Sequence, residues 1–347
     1  MAAILTGSTM ALWSLGGVAG AASATAPLRR LASPRGIRIG AAVSYDALVA
    51  DADYRRVLRR EFNIVTPENA MKWGPIHPER DRYDFEAADS IVAEARKARM
   101  RVRGHTLVWY NQNPAWLTDG PFTRDESIAV LREHIQKVVG RYRGKIAQWD
   151  VVNEAFGDLD GNPRNTIWRQ RIGPDYIEMA FRFAHEADPR AKLYYNDFLT
   201  ELSAAKFEAV LALVTDLKAR GVPIDGVGFQ THAFYGVGCT SCVATLAAQF
   251  ARVAAAGLDV AITELDAGLP QPTTPALLQQ QADFYGGVVA ACRSVRRCRT
   301  IVAWGFTDRY SWIPAFIPGQ DDALPFDRDF QPKPAYFAIQ RALRARR

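Results

Sequence analysis

Short apolar runs recur along the chain, each rich in β-branched or aromatic residues and each finishing on polar or aromatic groups. A longer stretch with helical spacing of its apolar positions follows each run. There are eight such units. In the first half the runs are residues 37–43 (IRIGAAV), 62–69 (FNIVTPEN), 101–109 (RVRGHTLVW) and 146–154 (IAQWDVVNE). In the second half they are 192–197 (KLYYND), 227–232 (VGFQTH), 260–266 (VAITELD) and 301–308 (IVAWGFTD). Amphipathic helices are predicted over 85–98, 125–142, 176–188, 203–220 and 275–293. Strand alternating with helix builds a parallel sheet. Eight repeats predict an α/β fold, a single closed (β/α)8 TIM barrel. An open doubly wound sheet uses fewer strands and a Gly-rich phosphate turn, and neither G-x-G-x-x-G nor G-x-x-x-x-G-K-[ST] occurs.

The C-terminal ends of barrel strands converge on one face. Glu68, Asn69, His105, Trp109, Asn153, Glu154, Asn196, Asp197, Gln230, His232, Glu264, Asp266 and Trp304 are therefore expected to meet there. Any one of them could simply cap its own strand. A polar group on nearly every strand is harder to explain that way.

Composition fits this picture and narrows it. A chain of 347 residues with 48% hydrophobic and 23% charged residues can bury a large core. No Pro/Ser/Gly-rich linker, like-charge block or short repeat follows residue 30, so one domain over residues 28–347 is expected. The preceding segment is apolar and rich in small residues, the first charged side chain is Arg29, and Ala22-Ser23-Ala24 fits a small-x-small cleavage site. An export signal over residues 1–24 is expected, with residue 27 as its outer bound, although the usual leading Lys or Arg is missing. A permanent membrane anchor is disfavoured by the many Gly, Ser and Thr residues.

Export places Cys239, Cys242, Cys292 and Cys298 in an oxidising compartment, where two short loop disulfides are expected. A redox or zinc role for Cys239-x-x-Cys242 is the lesser reading, because the second pair is C-x5-C and no His stands near either. The net charge of +6 comes from scattered Lys and Arg, dense only in helical segments and in residues 341–347. A solvated basic surface follows, with no nucleic-acid site, and its long-range attraction would at most aid approach to an acidic polysaccharide. A monomer without stable membrane association is expected.

Hydrolysis of a glycosidic bond needs one carboxyl to protonate the leaving oxygen and another to attack or to activate water. Glu154 follows Val151-Val152, where desolvation would raise its pKa and suit it to act as the acid. Glu264 follows Ala261-Ile262-Thr263 and can stay ionised beside His232, which Asp266 would orient. Asp150, Asp197 and Glu68 are the alternative carboxylates. Alternation along the strand puts Asp150 deeper in the barrel, in a supporting role. A sugar site should mix flat aromatic faces with directional polar groups, and Trp109, Trp304 and Trp312 supply the faces. Neither G-x-S-x-G nor H-E-x-x-H is present, and the dispersed His residues argue for no metal and no cofactor.

At this point the sequence resembles glycoside hydrolase family 10, the xylanases of a large clan of barrel glycosidases. Residues 149–155 (WDVVNEA) look like the family's acid/base motif and 262–266 (ITELD) like its nucleophile motif. Residues 66–73 (TPENAMKW), 104–109 (GHTLVW), 195–197 (YND), 228–232 (GFQTH) and 304–308 (WGFTD) stand in the family's order and spacing. The resemblance covers nearly the whole mature chain. It implies a secreted retaining endo-β-1,4-xylanase acting on xylan or xylo-oligosaccharides, with Glu154 as acid/base and Glu264 as nucleophile. It implies that Glu68, Asn69 and Lys72 bind the distal glycone sugar, and that His105, Trp109, Asn153, Gln230, His232 and Trp312 surround the reacting sugar. Trp304 and Gln112 would complete the glycone wall, Asn153 would hold the reacting 2-hydroxyl, and His232 and Asp266 would support the nucleophile. Cys292 and Cys298 match a disulfide of many members. Tyr110, Phe198-Leu199 and Ile313 depart from the common family residues, which puts leaving-group contacts and substrate preference in question. The alternatives are a β-1,4-glucanase of the same clan and a non-catalytic carbohydrate-binding barrel.

Overall fold

The computed structural model describes residues 26–233 and 239–346, so the expected export signal lies outside the described residues. Eight parallel strands close into a barrel: β1 (Arg38–Val43), β2 (Ile64–Pro67), β3 (Arg101–Val108), β4 (Gln148–Asn153), β5 (Lys192–Asp197), β6 (Gly226–Phe229), β7 (Asp259–Leu265) and β8 (Cys298–Ala303). Each pairs with the next, and β8 returns to β1, Arg38 opposite Thr300. This is the (β/α)8 barrel expected from the alternating pattern. All eight apolar runs contribute a strand, but the last run ends at Ala303, and Trp304 onward belongs to the loop above β8.

The principal helices are α1 (Ala52–Glu61), α2 (Glu86–Lys97), α3 (Arg124–Arg141), α4 (Tyr176–Ala187), α5 (Ala204–Ala219), α6 (Thr240–Ala255), α7 (Pro275–Ser294) and α8 (Pro334–Arg344). Local chemistry sets their starts. Thr123 and Glu126 form a capping box at α3, Ser203 caps α5, and Thr274 followed by Pro275 opens α7. Five helices match the predicted amphipathic stretches to within a residue at each end. The other three, α1, α6 and α8, follow β1, β6 and β8, where the eightfold pattern places a helix without fixing its bounds.

Side chains fill the barrel interior. Arg103 is fully buried, donates to Asp150 and to Gln148 Oε1 (2.9 Å), and lies 4.5 Å above the Tyr194 ring. Gln148 Nε2 reaches Thr300 Oγ1 at 3.0 Å, a bond from β4 to β8 that crosses the interior and closes its lower end. Trp149 is also fully buried. Its ring lies so close to Gly104 that any Cβ there would collide with it, so glycine is required at that position for close approach. Truncating a tryptophan so enclosed costs about 3–5 kcal/mol.

Register slips mark the upper ends of β3, β4 and β7, where the chain turns toward the loops. A short antiparallel pair, Leu269–Pro270 with Gln320–Asp321, ties the loop after β7 to the loop after β8. Both expected disulfides are present, Cys239–Cys242 at the start of α6 and Cys292–Cys298 between α7 and β8. Among the described residues no helix is long and apolar enough to cross a membrane.

Candidate active site

A cleft of about 670 Å³ opens at the C-terminal ends of the strands, within the size range of small-molecule and sugar sites. Thirteen of the fourteen candidate catalytic and sugar-binding residues line it. The fourteenth, Asp266, stands behind the wall and touches the cleft through His232 and Trp312.

Glu154 directly follows β4 and is 7% exposed, with φ of 56°. Left-handed backbone at a non-glycine residue costs about 1 kcal/mol or more, and the surrounding bonds hold it there. Its Oε1 accepts from Gln230 Nε2 (2.8 Å) and Asn153 Nδ2 (3.0 Å), and its Oε2 accepts from Trp109 Nε1 (2.8 Å). Burial pushes its pKa up, and the nearby Asp197 and Glu264 charges add to the rise. The bonds from Gln230 and Trp109 oppose it without reversing it.

Glu264 lies in β7, 4% exposed. Its Oε1 accepts from Asn196 Nδ2 at 2.7 Å, and His232 Nε2 stands 3.3 Å from its Oε2. Burial would raise its pKa, but the side chains of His105 and His232 outweigh burial and hold it below the usual glutamate range. His232 is itself held from behind by Asp266 Oδ1, 2.9 Å from Nδ1. Burial works against the imidazolium, yet Asp266 and Glu264 together raise its pKa to about 10. The ends of β4 and β7 thus give the two glutamates opposite proton preferences.

The rest of the cleft is built from loops. Lys72 Nζ donates to Asn69 Oδ1 (2.9 Å) and sits 4.9 Å from the Trp109 ring and 5.8 Å from the Trp304 ring. Glu68 beside it has a pKa raised by burial. His105 packs edge-on against Trp304 and lies 3.2 Å from Asp150 Oδ2. Asp150, paired with Arg103 beneath the cleft, is held below its usual pKa against the effect of burial and does not line the cleft. Gln112 lines the wall and also receives Gly74 N on its backbone oxygen at 2.9 Å. Trp312 donates to Asp266 Oδ2 at 2.8 Å and faces the Phe316 ring at 4.6 Å.

Some lining residues were not among the sequence candidates. Asn196 is recognisable in the sequence only as a strand-end polar residue, yet it donates to Glu264. Tyr110, Asp158, Phe198, Leu199, Phe316 and Ile317 also line the cleft, from the segments that follow β3, β4, β5 and β8. They share no periodic signal, and only Tyr110 and Phe198-Leu199 stand out in the sequence, as departures from the family pattern. Among the described residues no group of three or more His, Cys, Asp or Glu could hold a metal ion.

Comparison with known proteins gives the same assignment. The family model described as Glycosyl hydrolase family 10 matches residues 27–342. The chain is 44% identical to endo-1,4-beta-xylanase B of Thermotoga neapolitana over 94% of each chain. It is 40% identical to endo-1,4-beta-xylanase A of Phanerodontia chrysosporium, over 92% of this chain and 78% of that one. Native xylanase 10B from Thermotoga maritima superposes with a TM-score of 0.87 at 44% identity, over 91% of this chain and 98% of that chain. Xylanase 10B from Thermotoga petrophila, in complex with xylobiose, gives 0.87 at 43%, over 91% and 97%. The chain is a glycoside hydrolase and belongs to glycosyl hydrolase family 10.

Proposed function

We propose that this enzyme is an exported endo-β-1,4-xylanase that cleaves by double displacement with retention. The observation that carries the reading is the opposite proton bias of two buried glutamates in one cleft, Glu154 raised and Glu264 lowered. Glu264, ionised, attacks the anomeric carbon while Glu154 protonates the departing glycosidic oxygen. Glu154, now a carboxylate, then takes a proton from the water that releases the covalent glycosyl-enzyme.

The bonding supports those roles atom by atom. Glu154 Oε1 already accepts two hydrogen bonds, whereas Oε2 accepts one and keeps an open position for the acid's proton. Both protons of Asn196 Nδ2 are used, one toward Glu264 and one toward Asn153 Oδ1 (2.8 Å), so Glu264 cannot turn without breaking the set. Asn153 binds the reacting 2-hydroxyl, Glu68, Asn69 and Lys72 the distal sugar, and the three tryptophans the sugar faces.

Similar structures hold xylobiose and xylotriose, which supports a xylan chain as the substrate. Comparing reducing-sugar release from xylan, carboxymethylcellulose and barley glucan tests the reading. Xylan should be hydrolysed fastest. A faster rate on either glucan would make the enzyme a glucanase, and binding of xylan without turnover would make it a non-catalytic barrel.

A further inference from the structure

The opposite end of the barrel carries a second concavity that catalysis does not use. Four strands begin, or are approached, with a cation: Arg38 at β1, Arg101 at β3, Lys192 at β5, and Arg297 with Arg299 at β8. These five surround a cavity of about 250 Å³ whose floor is the Gln148–Thr300 hydrogen bond. Asp259 is the one acid lining it, and it is already shared by Lys192 Nζ (2.7 Å) and Arg297 (3.1 Å). A second depression of about 440 Å³ adjoins the first, shares Arg38 and Arg101 as its wall, and adds Arg96, Arg99 and Lys145. Among the described residues Arg38, Arg96, Arg99, Arg101 and Arg299 form no ion pair.

Like charges gathered this way repel unless an anion sits among them. Two adjoining depressions with a common cationic wall suit a chain that carries negative charge at intervals better than a single small ion. We propose that the N-terminal mouth of the barrel is a binding site for a carboxylate-bearing polysaccharide, a uronic-acid chain, laid across both depressions. Among the described residues Tyr194 is the only aromatic one lining them, and it is buried beneath the Arg103 guanidinium, so no stacking platform for nucleobases is offered. Among the described residues no exposed large apolar side chain lines them either, so the depressions themselves offer no group to insert into a lipid surface. The site faces away from the cleft, so an acidic chain held there leaves the cleft free to work. The choice of a polysaccharide as the anion rests on the proposed glycanase function; the site itself does not.

Fluorescence titration with labelled polygalacturonate at neutral pH tests this, because that polymer lacks the β-1,4-xylosyl chain that the cleft is proposed to cut. The enzyme should bind it, more weakly as salt is raised, and should not bind the fully methyl-esterified polymer. The triple substitution Arg38→Gln, Arg101→Gln, Arg299→Gln should weaken binding about tenfold or more while leaving hydrolysis of neutral xylo-oligosaccharides unchanged. Arg96→Gln, Arg99→Gln, Lys145→Gln, with two of its changes in connecting segments and one in the last turn of α2, should weaken it independently and carries the test if the first variant does not fold. Undiminished binding by the folded variants, or equal binding of the esterified polymer, would overturn the site. Tighter binding of duplex DNA or anionic vesicles at the same salt would overturn the choice of partner. Failure to hydrolyse xylan would strike the proposed function and with it the ground for choosing a polysaccharide, and would leave the anion site standing.

Discussion

Asn196 Nδ2 donates to Glu264 Oε1 at 2.7 Å, and the same amide, through Asn153, reaches Glu154. One fully satisfied asparagine therefore couples the two carboxyls, its own oxygen held by Thr263 Oγ1 at 2.7 Å. Buried polar networks are rigid when every member is paired, and rigidity here fixes where each glutamate points.

That coupling gives glycine at 228 a function. A Cβ at this position would collide with Asn196 Oδ1 and crowd Thr263. Gly228→Ala should displace Asn196, remove a hydrogen bond from the Glu264 carboxylate, and lower kcat about 10- to 100-fold with little change in the KM for xylotriose. Steady-state kinetics read the effect. Unchanged kcat with Asn196 displaced would show that the bond does not matter.

Glu154→Ala separates the two chemical steps. Substrates with poor leaving groups need protonation, and those with good ones do not, so turnover of xylan should fall about a hundred- to ten-thousandfold. Formation of the glycosyl-enzyme from an aryl xylobioside with an acidic phenol should be spared, visible as a burst of phenol. Equal losses on both substrates would remove Glu154 from the acid role.

With Glu264 as the proposed nucleophile, the His232 cation should set the acid limb of the pH profile. In the folded enzyme it helps hold the Glu264 carboxyl below the usual glutamate range, and the proposed role predicts that activity falls as pH drops through the Glu264 pKa. His232→Asn removes that support, so the Glu264 pKa rises and the acid limb of kcat/KM should move to higher pH by about one unit or more. The basic limb follows the raised Glu154 pKa and should stay in place. Movement of the basic limb alone would contradict this assignment.

Much of the barrel is legible in the sequence because parallel strands buried on both faces read as apolar runs, and polar endings mark their upper rims. The helices α1, α6 and α8 are harder. Among them α6 (Thr240–Ala255) is rich in alanine, which favours helix without marking a face, and α1 carries charges along most of its ten residues. Within the site, Glu154, Glu264 and their strand-end neighbours could be named because each ends a run. Tyr110 and Phe198 stand out only as departures from the family pattern, and Phe316 not at all, since their meeting depends on connecting segments that no period encodes. The basic lower mouth was hidden for a related reason. Arg38, Arg101 and Arg299 look scattered in the sequence and are gathered only when the sheet closes.

The most direct test is trapping of the covalent intermediate. An aryl 2-deoxy-2-fluoro-β-xylobioside slows both steps by destabilising the oxocarbenium-like transition states, while its good leaving group preserves the first, so the glycosyl-enzyme accumulates. Mass spectrometry of the digested, inactivated enzyme should place the sugar on the peptide carrying Glu264. A label on Glu154, Glu68 or any other carboxylate, or turnover with inversion and no adduct, would contradict the assignment of Glu264 as the nucleophile.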